Sequence, residues 1–367
     1  MNQTRQLHAA GQSVWLDNIS KDLISSGRLA HYVDDLALTG LTSNPTILQN
    51  AIAGGDDYDQ DLQAHMMGCC REPEHLVYQL ALDDLVAAAD LLRPTHDACN
   101  GIDGYVSVEV PPKLVDDAPG TIRAGIDLYA SAARPNVMIK VPGTPAGLIA
   151  VEELVARGIP VNVTLLFSTE HYLAAADAYQ RALERRREAG QSLAVASVAS
   201  VFVSRWDAAA DPSLPAHLHG RLAIATCQRT YLAHLGVVAS QRWQSLADAG
   251  ATPQKVLWAS TSTKNPALPD TYYVARLVGP GTVDTIPEPT LLAFADHGEI
   301  VSTLDDATGD TDSVIEGVTS AGVDLHQLAD RLQHDGARSF LASWDALLAD
   351  VATKVEQLST VTATRER

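Results

Sequence analysis

The chain has 367 residues, with 26 basic against 45 acidic side chains and a formal net charge of −19. Without a basic stripe or tail, that balance argues against nucleic acid or an anionic membrane as partner, but not against a small anionic substrate, which responds to the local charge of a cleft. Apolar residues make up 46% and aromatics only 5%, so the core must be aliphatic and alanine-rich. The length fits two domains, or one large α/β barrel with added helices.

In chain order, short β-branched runs alternate with longer stretches of helical period. The strand candidates are residues 14–17, 40–43, 105–110, 137–141, 161–167, 194–203, 256–260 and 282–286. Between the second and third lies a long helical insertion, residues 46–100, with a break at Pro73. Residues 144–157 and 168–188 have helical period, and the charge run at 184–188 reads as a solvated face. Gly279-Pro-Gly281 reads as a turn. After the last strand, residues 309–360 form a helical extension in which Leu325, Leu328, Leu332, Phe340, Leu341, Leu347 and Leu348 make apolar stripes that must pack on something. Eight near-continuous apolar strands separated by helices predict a closed parallel (β/α)8 TIM barrel of the α/β class. One domain then spans residues 1–367, with its core at about 12–298. An open doubly wound sheet lacks its usual G-x-G-x-x-G after the first strand.

Cys69, Cys70, Cys99 and Cys227 show no C-x-x-C spacing. With no leader and no apolar run approaching eighteen residues, a cytoplasmic location in a reducing compartment is expected.

Lys140 stands out in Asn136-Val-Met-Ile-Lys-Val-Pro-Gly143. Of the six lysines it alone lies in an apolar run with no charge within three residues. A charged amine there is costly unless it is neutralised or held by a partner. A neutral strand amine is what Schiff-base chemistry on a carbonyl requires. A packed stem with a snorkelling head, or half of a buried ion pair, would also account for it.

Polar residues gather at the C-terminal ends of the other strands, where a barrel carries its reacting groups. Asp17 ends the first; Thr42, Ser43 and Asn44 the second; Glu109 lies near the end of the third. Asn162 and Thr164 alternate on the fifth and so share a side. Ser200, Phe202 and Arg205 close the sixth, Ser260 and Lys264 the seventh. Singly, each has a structural reading: Asp17 as a helix cap, Asn44-Pro45 as a helix-initiating turn, Thr164 bonded locally, Lys264 on the surface, Phe202 as barrel filling. Together they populate the same end of seven strands, which capping does not require.

Trp15-Leu-Asp17, Leu41-Thr-Ser-Asn-Pro-Thr46, Val106-Ser-Val-Glu-Val110, Met138-Ile-Lys-Val-Pro-Gly-Thr144, Asn162-Val-Thr-Leu-Leu-Phe-Ser168, Ser200-Val-Phe-Val-Ser-Arg205 and Trp258-Ala-Ser260 resemble, in one consistent order, the motifs of the transaldolase family. The length resembles its longer bacterial subgroup. The resemblance implies a barrel of the class I aldolase group that moves a dihydroxyacetone unit between sugar phosphates in the non-oxidative pentose phosphate pathway. It places the Schiff base at Lys140, a proton shuttle at Glu109 with Thr164 and a water, and the base for carbon–carbon cleavage at Asp17. Thr42, Asn44, Asn162 and Ser200 would hold the hydroxyls of the three-carbon unit. Hydroxyls and cations at Ser260, Lys264 and Arg205 would hold phosphate. Many members carry an arginine shortly after the serine of the seventh strand; here a longer segment ends in Lys264, a point charge without bidentate geometry. No step calls for a metal, flavin or nicotinamide, and no cofactor is expected.

Relatives that release free dihydroxyacetone, the fructose-6-phosphate type of class I aldolase, tend to have tyrosine in place of Phe202 and lack the match to Glu109. Phe202 and Glu109 together therefore favour the transferase. A metal-dependent aldolase is disfavoured because none of the twelve histidines falls on a strand candidate. A non-enzymatic barrel would leave the polar strand ends unexplained. A monomer or a homodimer fits the sequence equally.

Overall fold

Each of the eight apolar runs forms a strand in the computed structural model, which describes residues 3–67, 71–304 and 310–365. Strands β1 (Ser13–Asp17), β2 (Leu38–Thr42), β3 (Val106–Glu109), β4 (Val137–Pro142), β5 (Val161–Leu166), β6 (Ser197–Phe202), β7 (Lys255–Ala259) and β8 (Val283–Ile286) are parallel and pair in sequence order. The β8 strand then returns to β1, with Ser13 opposite Val283, and closes the barrel. Crossover helices Arg28–Leu36, Pro73–Ala98, Ala118–Ala132, Pro145–Ala156, Thr169–Glu188 and Leu222–Ala239 connect successive strands from β1 to β7. Their starts are chemically marked. Asp117, Thr144 and Ser168 each accept a backbone N–H of the first turn, and Pro119 and Pro145 sit in the first turn, where a missing N–H costs nothing.

The sixth strand is shorter than the apolar run predicts. Leu193 and Val195 are buried, but as a loop at the foot of the barrel, where the Tyr179 hydroxyl donates to the Val195 carbonyl at 2.8 Å. Burial without ladder bonds imitates a strand in the sequence. Lower in the barrel, the Trp15 indole donates to Asp103 at 2.8 Å and fills the interior two residues below Asp17. Gly40 makes room for it: a Cβ there would meet the Trp15 ring at 2.4 Å.

Of the expected insertion, helices Pro45–Ala53 and Asp59–Met66 are additions, whereas Pro73–Ala98 is the crossover onto β3 and begins at the expected break. The additions do not pack on the barrel's main core. Ile52, Tyr58, Leu62, Met66, Leu76 and Leu80 form a satellite cluster with Trp344, Leu347 and Val351 of the long C-terminal helix, Leu325–Arg365. The two segments that exceed a minimal barrel thus bury one another. Leu341 is a correction to the expected stripe: it is 36% exposed, because the buried row runs Phe340, Trp344, Leu347, Val351, and position 341 lies a further 100° around the helix. The charged run at 184–188 is likewise more than a solvated face, since Glu184 takes both arms of Arg242 at 2.7 and 2.9 Å and Arg185 reaches Glu153 at 2.8 Å. Cys69, Cys70 and Gly309 lie outside the described residues. No helix among the described residues is long and apolar enough to cross a membrane.

Candidate active site

Register brings Lys140 to the centre of the mouth. On β4 it lies opposite Glu109 of β3 on one side and Asn162 of β5 on the other, all three facing inward. Lys140 and Glu109 are both buried, at 5% and 8% exposure, so each must find its partner inside the protein. The amine donates to the Ser43 carbonyl, just past the end of β2, at 2.9 Å, and stands 3.2 Å from Glu109 Oε2. The buried-ion-pair reading of Lys140 is therefore correct in geometry. Burial pushes the Glu109 carboxyl above its ordinary range; Lys140 pulls it back and Asp17 pushes it further up. A carboxylate so shifted is well placed to exchange a proton with the amine beside it.

Asp17, at the end of β1, opens into the mouth. Its pKa is raised mainly by desolvation, against the lowering fields of Lys140 and Arg205 and the hydrogen bond from Thr42. Thr42 Oγ1 donates to Asp17 Oδ1 at 2.9 Å and lies 2.6 Å from Thr285 Oγ1 on β8. A hydroxyl has one proton to give, so Thr285 must donate to Thr42, a relay that aims Asp17. The helix that follows β1 is capped by Ser20, not Asp17, so the capping reading of Asp17 does not hold. Asn44 does cap its helix, accepting from Ile47 N at 3.0 Å, which commits its amide oxygen and not its NH2.

Opposite, Ser200 Oγ donates to Asn162 Oδ1 at 2.6 Å, and Asn162 Nδ2 donates to Ser107 Oγ at 3.2 Å. This chain ties β6, β5 and β3 across the interior. Thr164, two residues beyond Asn162, keeps a buried hydroxyl with no hydrogen-bond partner among the described residues, contrary to a locally bonded threonine. Phe202 packs on Phe167 with ring centres 5.3 Å apart, and the half-buried Arg205 guanidinium lies 5.0 Å over the Phe202 ring. Asp17 is the carboxylate whose field Arg205 feels. Ser260 adopts a left-handed φ of 59° and places its hydroxyl 3.1 Å from Ser204 Oγ. Lys264 is exposed in the same loop, four residues on.

The mouth has a roof that sequence reading did not supply. Phe340, on the C-terminal helix, sets its ring 5.8 Å from Lys140 Nζ and 6.0 Å from the Arg205 guanidinium. Thr285 and Ser107 were also missed, although period-two alternation puts Ser107 on the face of Glu109 and could have found it. Phe340 had only its place in an apolar stripe. Among the described residues, no group of three or more His, Cys, Asp or Glu side chains stands close enough to hold a metal ion.

Fold and mouth together define a class: a (β/α)8 barrel whose strand ends gather one amine, two carboxylates with raised pKa values, and a ring of hydroxyl and amide groups. The pattern of the family described as transaldolase/fructose-6-phosphate aldolase matches residues 14–351. The chain is 39% identical to a protein named transaldolase 2 from Nostoc sp., over 98% of this chain and 100% of that one. It is 41% identical to a transaldolase of Frankia alni over 98% and 99%, and 43% identical to one of Thermobifida fusca over 96% and 98%. The chain belongs to the transaldolase/fructose-6-phosphate aldolase family.

Proposed function

We propose that the chain is a transaldolase that transfers a dihydroxyacetone unit from sedoheptulose 7-phosphate or fructose 6-phosphate to glyceraldehyde 3-phosphate or erythrose 4-phosphate through an imine on Lys140. The observation that carries this reading is the buried Lys140 amine beside Glu109 at 3.2 Å, with Asp17 in the same mouth. Glu109 takes the proton that leaves Lys140 free to attack the ketose carbonyl. It then works with Thr164 and a water to expel the carbinolamine hydroxyl as water. The resulting iminium accepts the electron pair when Asp17 removes the proton of the hydroxyl that becomes the aldehyde, and the adjacent carbon–carbon bond breaks. Two carboxylates in different environments can run the acid and base steps at one pH. Thr42, the Asn44 amide, Asn162 and Ser200 hold the three-carbon unit while the first aldehyde leaves and the acceptor arrives. Arg205, Ser260 and Lys264 bind phosphate, Arg205 from a half-buried position and Lys264 from the rim. The enzyme works without a cofactor, in the cytoplasm, as a monomer or homodimer.

Borohydride reduction in the presence of fructose 6-phosphate, followed by peptide mapping, tests the reading: a reduced three-carbon or six-carbon adduct is expected on Lys140. An adduct on another lysine, or none, would reject it. Phe202 distinguishes transfer from release of free dihydroxyacetone. An apolar ring limits hydrolysis of the waiting carbanion–enamine, and Phe202→Tyr adds a hydroxyl able to orient water there. The variant should lose transfer and gain release of dihydroxyacetone; an unchanged ratio of the two would reduce Phe202 to packing.

A further inference from the structure

Thr164 has no side-chain bond to fix its hydroxyl among the described residues, so the backbone must place it. That backbone is unusual. Leu165 has a φ of 58°, left-handed and unfavourable for a residue with a Cβ, and the β5–β6 register skips from Val163 to Leu166 across it. Such a conformation is strained and persists only where the surroundings over-determine it.

The restraint comes from the C-terminal helix. Gln333 Nε2 donates to the Leu165 carbonyl at 2.9 Å and to the Gly143 carbonyl at 3.2 Å. Gly143 lies three residues after Lys140, and its N–H donates to the Thr164 carbonyl at 2.7 Å. One amide nitrogen thus spends both protons on the loops that end the strands of Lys140 and Thr164. Three residues further, Gly336 comes so close that a Cβ would stand 2.9 Å from Leu165 Cδ2 and 3.1 Å from Arg205 Nη1. Phe340 completes the same helix face above Lys140. Closing a barrel requires none of these contacts, and all of them converge on the Lys140–Thr164 side of the mouth.

We infer that Gln333 is a positioning residue: by clamping the Gly143 and Leu165 carbonyls it holds the Thr164 hydroxyl at the Lys140–Glu109 pair, where the carbinolamine loses and regains water. The inference rests on the Schiff-base reading above. The chemistry of the clamp demands a donor. A carboxylate at 333 would face two carbonyl oxygens, a methionine would offer neither, and a lysine could donate to both.

The test compares Gln333→Met, Gln333→Glu and Gln333→Lys with the wild type, all as full chains held well below their melting temperatures. Two rates are read in single turnovers with fructose 6-phosphate: appearance of the borohydride-trappable imine, and release of glyceraldehyde 3-phosphate from imine already formed. Misplacing a reacting group by about 1 Å can cost on the order of a hundredfold. Gln333→Met and Gln333→Glu should therefore slow imine formation at least about tenfold while leaving release within about twofold, and Gln333→Lys should recover most of the loss. Unchanged imine formation in Gln333→Met, equal slowing of both rates, or losses that track melting temperature across all three variants would overturn the clamp. Absence of any adduct in the wild type would instead sink the Schiff-base reading itself.

Discussion

Around Lys140, side chains reach the mouth from strands at alternate positions: Asp17, Thr42, Ser107 and Glu109, Asn162 and Thr164, Ser200 and Phe202. On the other side the mouth is met by one helix at turn spacing, through the side chains of Gln333 and Phe340 and the close backbone of Gly336. The strand side is held by the ladder and by buried hydrogen bonds that cross the barrel, such as Ser200 to Asn162 to Ser107. The helix side is held from farther along the chain, where Trp344, Leu347 and Val351 pack into the satellite cluster with the helices inserted after β2. Chemistry and anchorage are therefore separated: variants in the mouth should change reaction steps with the fold intact, and variants in the satellite should lower stability with the reaction steps intact.

The largest effect is expected at the centre. Lys140→Met keeps the stem volume and removes the amine, so turnover and borohydride trapping should both vanish while the circular dichroism spectrum stays that of a folded barrel. Trapping retained on another lysine would move the centre of the site. Next comes Asp17→Asn, which leaves Thr42 a partner but removes the base. Imine should still form, and carbon–carbon cleavage should fall by about 10²–10⁴. Cleavage near the wild-type rate would take the base role from Asp17. Because Asp17 is raised above the ordinary carboxylate range and must be ionised to act, wild-type cleavage should decline with falling pH before an exposed aspartate would protonate.

Leu347→Ala probes the other half of the comparison. Leu347 is fully buried in the satellite cluster, and its truncation should cost about 2–5 kcal/mol by denaturant unfolding. Imine formation per folded molecule should stay unchanged at low temperature. A fall in that rate before unfolding begins would show that the satellite sets the height of the roof, and the two regions would then be one device. An effect that appears only as pH changes is expected at Asp284 on β8, fully buried, with its carboxyl accepting from Thr261 Oγ1 at 3.0 Å and pushed up to about 8 by desolvation. In the unfolded chain this group ionises near 3.8, so the folded form keeps the proton in between. The stability it lends is complete at low pH and is lost as pH rises toward 8. Asp284→Asn cannot ionise, and its melting temperature should gain on the wild type between pH 5 and pH 9. A difference independent of pH would mean that Asp284 does not titrate there.

The sequence by itself determined the strands, as short near-continuous apolar runs, and the shared facing of residues two apart, because side chains alternate along any strand. Lys140 amid Val137–Val141 could be placed on a buried strand, and Asn162 and Thr164 on one side of theirs, before any contact was known. Asn44 could be read either as a cap or as a ligand, and the structure shows the cap. Local pattern misled where burial occurred without pairing, as at Val195, and where an apolar stripe was drawn one residue too wide, at Leu341. Only the tertiary structure decided that Lys140 would find the Ser43 carbonyl, that Thr285 would stand behind Thr42, and that a helix beginning nearly 40 residues after β8 would return over the mouth. Helical period in residues 325–348 says that one face must be buried; it does not say against what. That choice was made by the packing of Trp344 and Leu347 against the inserted helices, which sets Gln333 and Phe340 over strands that end some 170 residues earlier in the chain.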